Sequence, residues 1–91
     1  LARPTWILAA EQTGGRVRRG RPWASPRGNF HATLVMKPAG PPATVALRSF
    51  AAALALRDAL VALTGLPAAF ALKWPNDVLL HGGKLAGILL E

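Results

Sequence analysis

At 91 residues the chain is long enough for one small domain and too short for two complete ones. Hydrophobic residues make up 52% and charged residues 16%, which excludes a disordered tail, and eleven Lys plus Arg against four Asp plus Glu give a formal charge of +7. That charge suits phosphates, nucleic acid or anionic lipid without choosing among them, while the lack of cysteine excludes disulfides, thiolate metal sites and Cys nucleophiles.

Thr5 to Ala10 is rich in strand formers and runs into Glu11-Gln12-Thr13-Gly14-Gly15, so a buried strand followed by a loop is expected. From Gly14 to Gly28, four Gly and two Pro alternate with Arg16, Arg18, Arg19, Arg21 and Arg27, with neither the strand nor the helix period. This is a long basic loop, and a loop of that length without its own structure is usually functional or disordered. Asn29 to Lys37 restores alternation, with Phe30, Ala32, Leu34 and Met36 on one face and His31, Thr33, Val35 and Lys37 on the other. A strand with one apolar face follows from that pattern.

Pro38, Gly40, Pro41 and Pro42 make a turn, and Pro42 opens a helix expected over residues 43 to 64. At 100° per residue, Leu47, Phe50, Leu54 and Val61 form its core face, with Arg48, Ala52, Ala55 and Ala59 opposite. Gly65-Leu66-Pro67 ends it. Strands are then expected at Ala69 to Trp74, Asp77 to His81 and Lys84 to Leu90, with Gly82-Gly83 as a two-residue hairpin turn. The element order describes an α+β or mixed α/β sandwich, a helix against a mainly antiparallel sheet. Thr44 to Leu63 is the most apolar stretch, but Arg48, Arg57 and Asp58 interrupt it, so it is not a transmembrane helix. With no Met or leader at the start and an apolar run at the end, the chain is expected to be a piece of something longer.

Three segments could carry chemistry. Gly14 to Trp23 joins backbone freedom, dense positive charge and an aromatic ring, and Arg forks with close-approaching backbone N–H groups suit a nucleotide's phosphates. It matches neither a Walker A loop nor a dinucleotide fingerprint, and a solvated basic loop or an arginine-rich nucleic-acid patch is the competing reading. In Lys73-Trp74-Pro75-Asn76-Asp77, a lysine at a strand end can hold its ammonium at a fixed point, as a carboxylate or phosphoryl clamp requires. On spacing alone, a snorkelling Lys73 beside a turn capped by Asn76 and Asp77 is the more ordinary arrangement. Gly87, inside the last strand, marks a bulge or the close approach of a ligand or second backbone, with core packing as the default. Gln12 could hydrogen-bond a polar ligand ring. His31 and His81 are read as surface or hydrogen-bonded histidines with no assigned role, and no metal ligands are assigned.

In this order, Glu11-Gln12-Thr13-Gly14-Gly15-Arg16-Val17-Arg18-Arg19-Gly20-Arg21-Pro22-Trp23, then Lys73-Trp74-Pro75-Asn76-Asp77, then Gly83-Lys84-Leu85-Ala86-Gly87-Ile88-Leu89 resemble the bacterial biotin protein ligases over nearly the whole chain. The resemblance implies part of a class II synthetase-like biotin/lipoate ligase catalytic domain over residues 1–91, without that family's N-terminal part, C-terminal strands and barrel domain. It implies formation of biotinyl-5′-AMP from biotin and ATP with Mg²⁺, then transfer of biotin to a lysine of a biotin carboxyl carrier domain, in the cytoplasm. By the same resemblance, Gln12 would bond the biotin ring system. Gly15, Arg16, Val17 (through its backbone), Arg18 and Trp23 would form the ligand-binding loop, with Gly87 a further binding position. Arg18 and Lys73 are the catalytic candidates, Lys73 holding the biotin carboxylate and the α-phosphate. Val17 replaces the family loop's middle glycine, and a β-branched residue disfavours positive φ. DNA binding is implied only for members with an N-terminal helix-turn-helix.

Two other readings compete: a lipoate or octanoate ligase of the same fold, and a non-catalytic basic module for nucleic acid or acyl-carrier docking. A nucleic-acid module would interleave exposed aromatics with basic residues along a sheet or helix. Here the basic residues concentrate in one glycine-rich loop, which favours a small phosphate-bearing ligand.

Overall fold

The computed structural model describes residues 3–15 and 22–91. The chain divides into two compact units, Leu1–Ala39 and Gly40–Glu91.

In the first unit, β1 (Thr5–Ala9) pairs antiparallel with β2 (His31–Val35), from Thr5 opposite Val35 to Ala9 opposite His31. Both strands are shorter than their sequence patterns suggested, and β1 is not buried: Trp6 is 64% exposed and Leu8 69%. The apolar face expected for β2 is likewise open, since Phe30 lies before the strand at 82% exposure while its neighbour His31 is buried. A two-stranded ribbon has no second layer of its own, so alternation in sequence does not become burial. Among the described residues of this unit, the buried groups are the polar Ser25 and His31 together with Gly15.

In the second unit the helical segment is broken. A single turn, α1 (Pro42–Val45), precedes α2 (Arg48–Thr64), with Ala46 and Leu47 between them. Gly65 ends α2 in the left-handed conformation at φ 70°, its N–H donating to the Val61 carbonyl, as expected of a C-terminal glycine. The buried face differs from the one expected. Ala53 is fully enclosed, and Phe50, Leu56, Arg57, Leu60 and Val61 are partly buried beside it, while Leu47 is 56% exposed and Leu54 42%. Because α2 is apolar or alanine on most sides, its sequence period does not select a face; the sheet does.

After a 3₁₀ turn (Pro67–Ala69), β3 (Phe70–Lys73), β4 (Asp77–Leu80) and β5 (Gly83–Gly87) form an antiparallel sheet in chain order. Helix α2 packs on β3 and β4, and Arg57 ties the layers by donating to the Pro67 carbonyl at 3.1 Å and the Phe70 carbonyl at 3.4 Å. Phe70 and Val78 provide the sheet's share of the core, Val78 with no exposed surface. The β4–β5 turn sits one residue earlier than expected. His81 (φ 48°) and Gly82 (φ 83°) are its two central residues, as a tight hairpin requires, and Gly83 already pairs with Leu80. The architecture is an α+β arrangement of antiparallel sheets with a helix. Among the described residues, no helix is long and apolar enough to cross a membrane.

Candidate functional site

Two groups of residues follow from this framework, one in each unit. In the first, the basic loop is closed at its base. The Gln12 N–H donates to the Ser25 carbonyl at 3.0 Å, and the Trp23 N–H donates to the Gly15 carbonyl at 2.9 Å. A Cβ on Gly15 would stand 2.7 Å from both the Ser25 hydroxyl and the Trp23 carbonyl oxygen, so the strands of this neck come together only because residue 15 has no side chain. Arg16, Val17 and Arg18 lie outside the described residues. Of the candidates in this region, Gln12, Gly15 and Trp23 are therefore placed together at the neck, with Trp23 42% exposed.

Gln12 also has a side-chain neighbour that the sequence did not single out. Its Nε2 lies 3.5 Å from His31 Nδ1, and the other ring nitrogen of His31 lies 3.0 Å from the Pro26 carbonyl. The register that sets Ala9 opposite His31 brings the end of β1 alongside the start of β2, within reach of Gln12.

In the second unit, strand parity decides the site. Lys73 pairs with Asp77, and Asp77 with Gly87, so all three belong to the same face of the sheet. Lys84 would fall on the other face if β5 were regular, since it is three residues from Gly87. A register shift between Val78 and Leu79 makes Val78 pair with Ala86 but Leu79 with Lys84, which leaves Leu85 as an inserted residue. The bulge reverses the alternation, and Lys84 joins Lys73, Asp77 and Gly87. The opposite face carries Phe70, Leu72, Val78 and Leu80 into the core with α2.

Lys84 Nζ then lies 3.2 Å from Asp77 Oδ1. Its side chain crosses the space above Gly87, where a Cβ would come within 2.9 Å of Lys84 Cε and 3.0 Å of Nζ. The near neighbour at Gly87 is thus a side chain of the same strand, whereas the approach expected from the sequence is that of a ligand or a second backbone. The turn beneath is held by Asn76, which is buried. Its Nδ2 donates to the Ile88 carbonyl at 2.6 Å, and the Ile88 N–H returns a bond to the Asn76 carbonyl at 3.0 Å. Trp74 packs its ring on Phe50 at 4.7 Å between centroids, linking the turn to α2, and the Trp74–Pro75 bond is cis. Lys73 is exposed at the strand end. The arrangement sets two ammonium groups on one open face, with one carboxylate directing Lys84, and such a face suits a ligand carrying more than one negative group.

In the sequence Lys84 belongs to the Lys84-Leu85-Ala86-Gly87-Ile88-Leu89 segment with no role of its own. The signal that could have found it is the Lys-x-x-Gly spacing, which becomes informative only once the bulge is known. Among the described residues there is no group of three or more His, Cys, Asp or Glu that could hold a metal ion, and the carboxylate on this face, Asp77, is paired with Lys84. These residues alone do not make a magnesium site.

The sheet face carrying Lys73 and Lys84 offers positive charge to an anionic ligand, as a domain that handles carboxylates and phosphates requires. The chain belongs to the biotin/lipoate A/B protein ligase family, whose model matches residues 1–91. It is 58% identical over its whole length to a biotin--[acetyl-CoA-carboxylase] ligase from Paracoccus denitrificans, of which it spans 38%. It is 43% identical over 91 aligned residues to the enzyme of that name from Mycobacterium tuberculosis, spanning 33% of it. Among solved structures, the biotin protein ligase of Leishmania major in complex with biotinyl-5-AMP matches 97% of this chain and 41% of its own, with a TM-score of 0.81 and 30% identity. The chain therefore spans about two fifths or less of these relatives.

Proposed function

We propose that residues 1–91 form part of the catalytic domain of a biotin protein ligase, which activates biotin with ATP and passes it to a lysine of a carboxylase's biotin carboxyl carrier domain. The observation that carries this reading is the shared face of Lys73, Asp77, Lys84 and Gly87, built by the segments that resemble the biotin ligases. Likeness to a ligase solved with biotinyl-5-AMP supports it, as does 58% identity to a biotin ligase.

In the first half-reaction a carboxylate oxygen of biotin attacks the α-phosphorus of ATP, the bond to the β-phosphate bridging oxygen breaks, and pyrophosphate leaves. Both reactants are anionic, so their approach needs cations between them, and positioning with electrostatic stabilisation supplies most of the rate. Lys73 bridges the biotin carboxylate and the α-phosphate. Lys84 is the second cation, given a fixed direction by Asp77, with Gly87 leaving room for its stem. Gln12 binds the ureido ring, and Gly15, Arg16, Val17, Arg18 and Trp23 supply the loop that covers biotin and the phosphate, Arg18 being its charged clamp. In the second half-reaction the carrier lysine's neutral amine attacks the acyl carbon, AMP leaves with the bonding electrons, and the proton lost from the amine nitrogen passes to solvent. No protein nucleophile is required. Mg²⁺ accompanies ATP in this reading as a counter-charge for the phosphates, and the use of ATP supports a cytoplasmic location.

The test is biotin-dependent exchange of labelled pyrophosphate into ATP by the full-length protein. Exchange is expected with biotin. Equal exchange with lipoate or octanoate and none with biotin would assign the chain to the lipoate branch, and no exchange with any acid would favour a non-catalytic module.

A further inference from the structure

We infer that His31 is a positioning residue for ligand recognition: it decides which end of the Gln12 amide is presented to the ligand. The inference rests on the proposed role of Gln12 and adds a residue that this role did not include.

The Pro26 carbonyl can only accept a hydrogen bond. His31 Nε2 lies 3.0 Å from it and therefore carries the proton. A neutral imidazole has one N–H, so Nδ1 is a bare lone pair, and it faces Gln12 Nε2 at 3.5 Å. Only the NH₂ branch of the amide can face that lone pair without repulsion, because a carbonyl oxygen there would set acceptor against acceptor. At 3.5 Å the bond itself is weak, and its importance is directional. It leaves the Gln12 carbonyl oxygen as the branch offered to a ligand. The ligand chemistry selected is then an N–H donor, such as a ureido N–H, and a ligand with only acceptors at that position is disfavoured.

Two features make this a built arrangement. His31 is 8% exposed, so its ring is held, whereas Gln12 is exposed and depends on a neighbour to choose between two amide orientations of similar shape. The backbone of Gln12 is meanwhile fixed by its bond to Ser25, which leaves the side-chain amide as the free variable.

The closing experiment separates the two nitrogens. His31→Gln keeps a donor near the Nε2 position for Pro26 and loses the acceptor facing Gln12, while His31→Asn keeps an acceptor near the Nδ1 position and loses the Pro26 bond. Biotin affinity of the full-length protein is measured by calorimetry for both, for Gln12→Ala and for Gln12→Ala/His31→Gln. Expected are a loss of about 3- to 10-fold for His31→Gln, affinity near the parent for His31→Asn, and no further loss when His31→Gln is added to Gln12→Ala. A larger loss for His31→Asn than for His31→Gln, or losses that add in the double variant, would overturn the inference by showing that His31 acts through the Pro26 tether. Unchanged biotin binding in Gln12→Ala would instead remove the role of Gln12, and the inference with it. The ¹⁵N shifts of the His31 ring in the unsubstituted protein give a test independent of any variant: a protonated Nε2 is expected, and a protonated Nδ1 overturns the inference.

Discussion

The two units reach order by different means. In 40–91 a helix covers one sheet face, and Ala53, Ala69, Phe70 and Val78 are buried between or beside them. In 1–39 the described residues include no buried large apolar side chain; the neck of the basic loop is instead held by backbone bonds, by the missing side chain of Gly15, and by the buried polar Ser25 and His31. The comparison teaches that the sheet-face lysines stand on a packed support, whereas the Gln12 region depends on a few directional contacts. Packing is sensitive to volume, and hydrogen-bonded necks are sensitive to single atoms.

The largest expected effect tests the packed side of this contrast. Phe70→Ala should cost about 3 to 5 kcal/mol in denaturant unfolding, because it removes a buried ring from between β3 and α2. A loss near zero would mean that the helix is not what supports the lysine face.

Next in size are the lysines. Lys84→Gln and Lys73→Gln should each slow adenylate formation by about 10²- to 10³-fold, the usual result of removing one electrostatic contact to a developing charge. Transfer from chemically made biotinyl-adenylate should be slowed less, since the activated bond already exists. Single-turnover rates for the two half-reactions check this, and equal slowing of both would make the lysines supports for the sheet.

The neck should respond to one methyl group. Gly15→Ala places a Cβ 2.7 Å from a backbone oxygen, and about 1 to 3 kcal/mol of strain is expected, seen as weaker biotin binding with the β3–β5 sheet unaffected in amide exchange. Loss of protection in that sheet would show the two regions to be less independent than their separate means of support suggest. The smallest effect is expected at Leu54→Ala, about 1 kcal/mol or less, because the side chain is 42% exposed. A loss as large as that of Phe70→Ala would restore Leu54 to the core face inferred from periodicity.

Much of this molecule was legible in the linear order of residues. Gly65 after an apolar run, strand-forming segments and a Gly-bearing hairpin turn are local signals, because backbone sterics and hydrogen-bond period act within a few residues. The motif residues from Glu11 to Trp23, Lys73 to Asp77 and Gly83 to Leu89 were enough to indicate the ligase family. What tertiary structure decided depends on partners distant along the chain. The buried side of α2 could not be chosen from a helix that is apolar nearly all round, and it is set by contact with β3 and β4. Lys84 shares a face with Asp77 only because pairing with β4 forces Leu85 out of register. His31 is buried and directed at Gln12 because the β1–β2 register brings two segments nineteen residues apart to the same place. Alternation and composition describe a residue's own strand or helix, whereas burial, parity across a bulge and the meeting of two side chains are properties of pairs, and pairing is settled only when the chain folds.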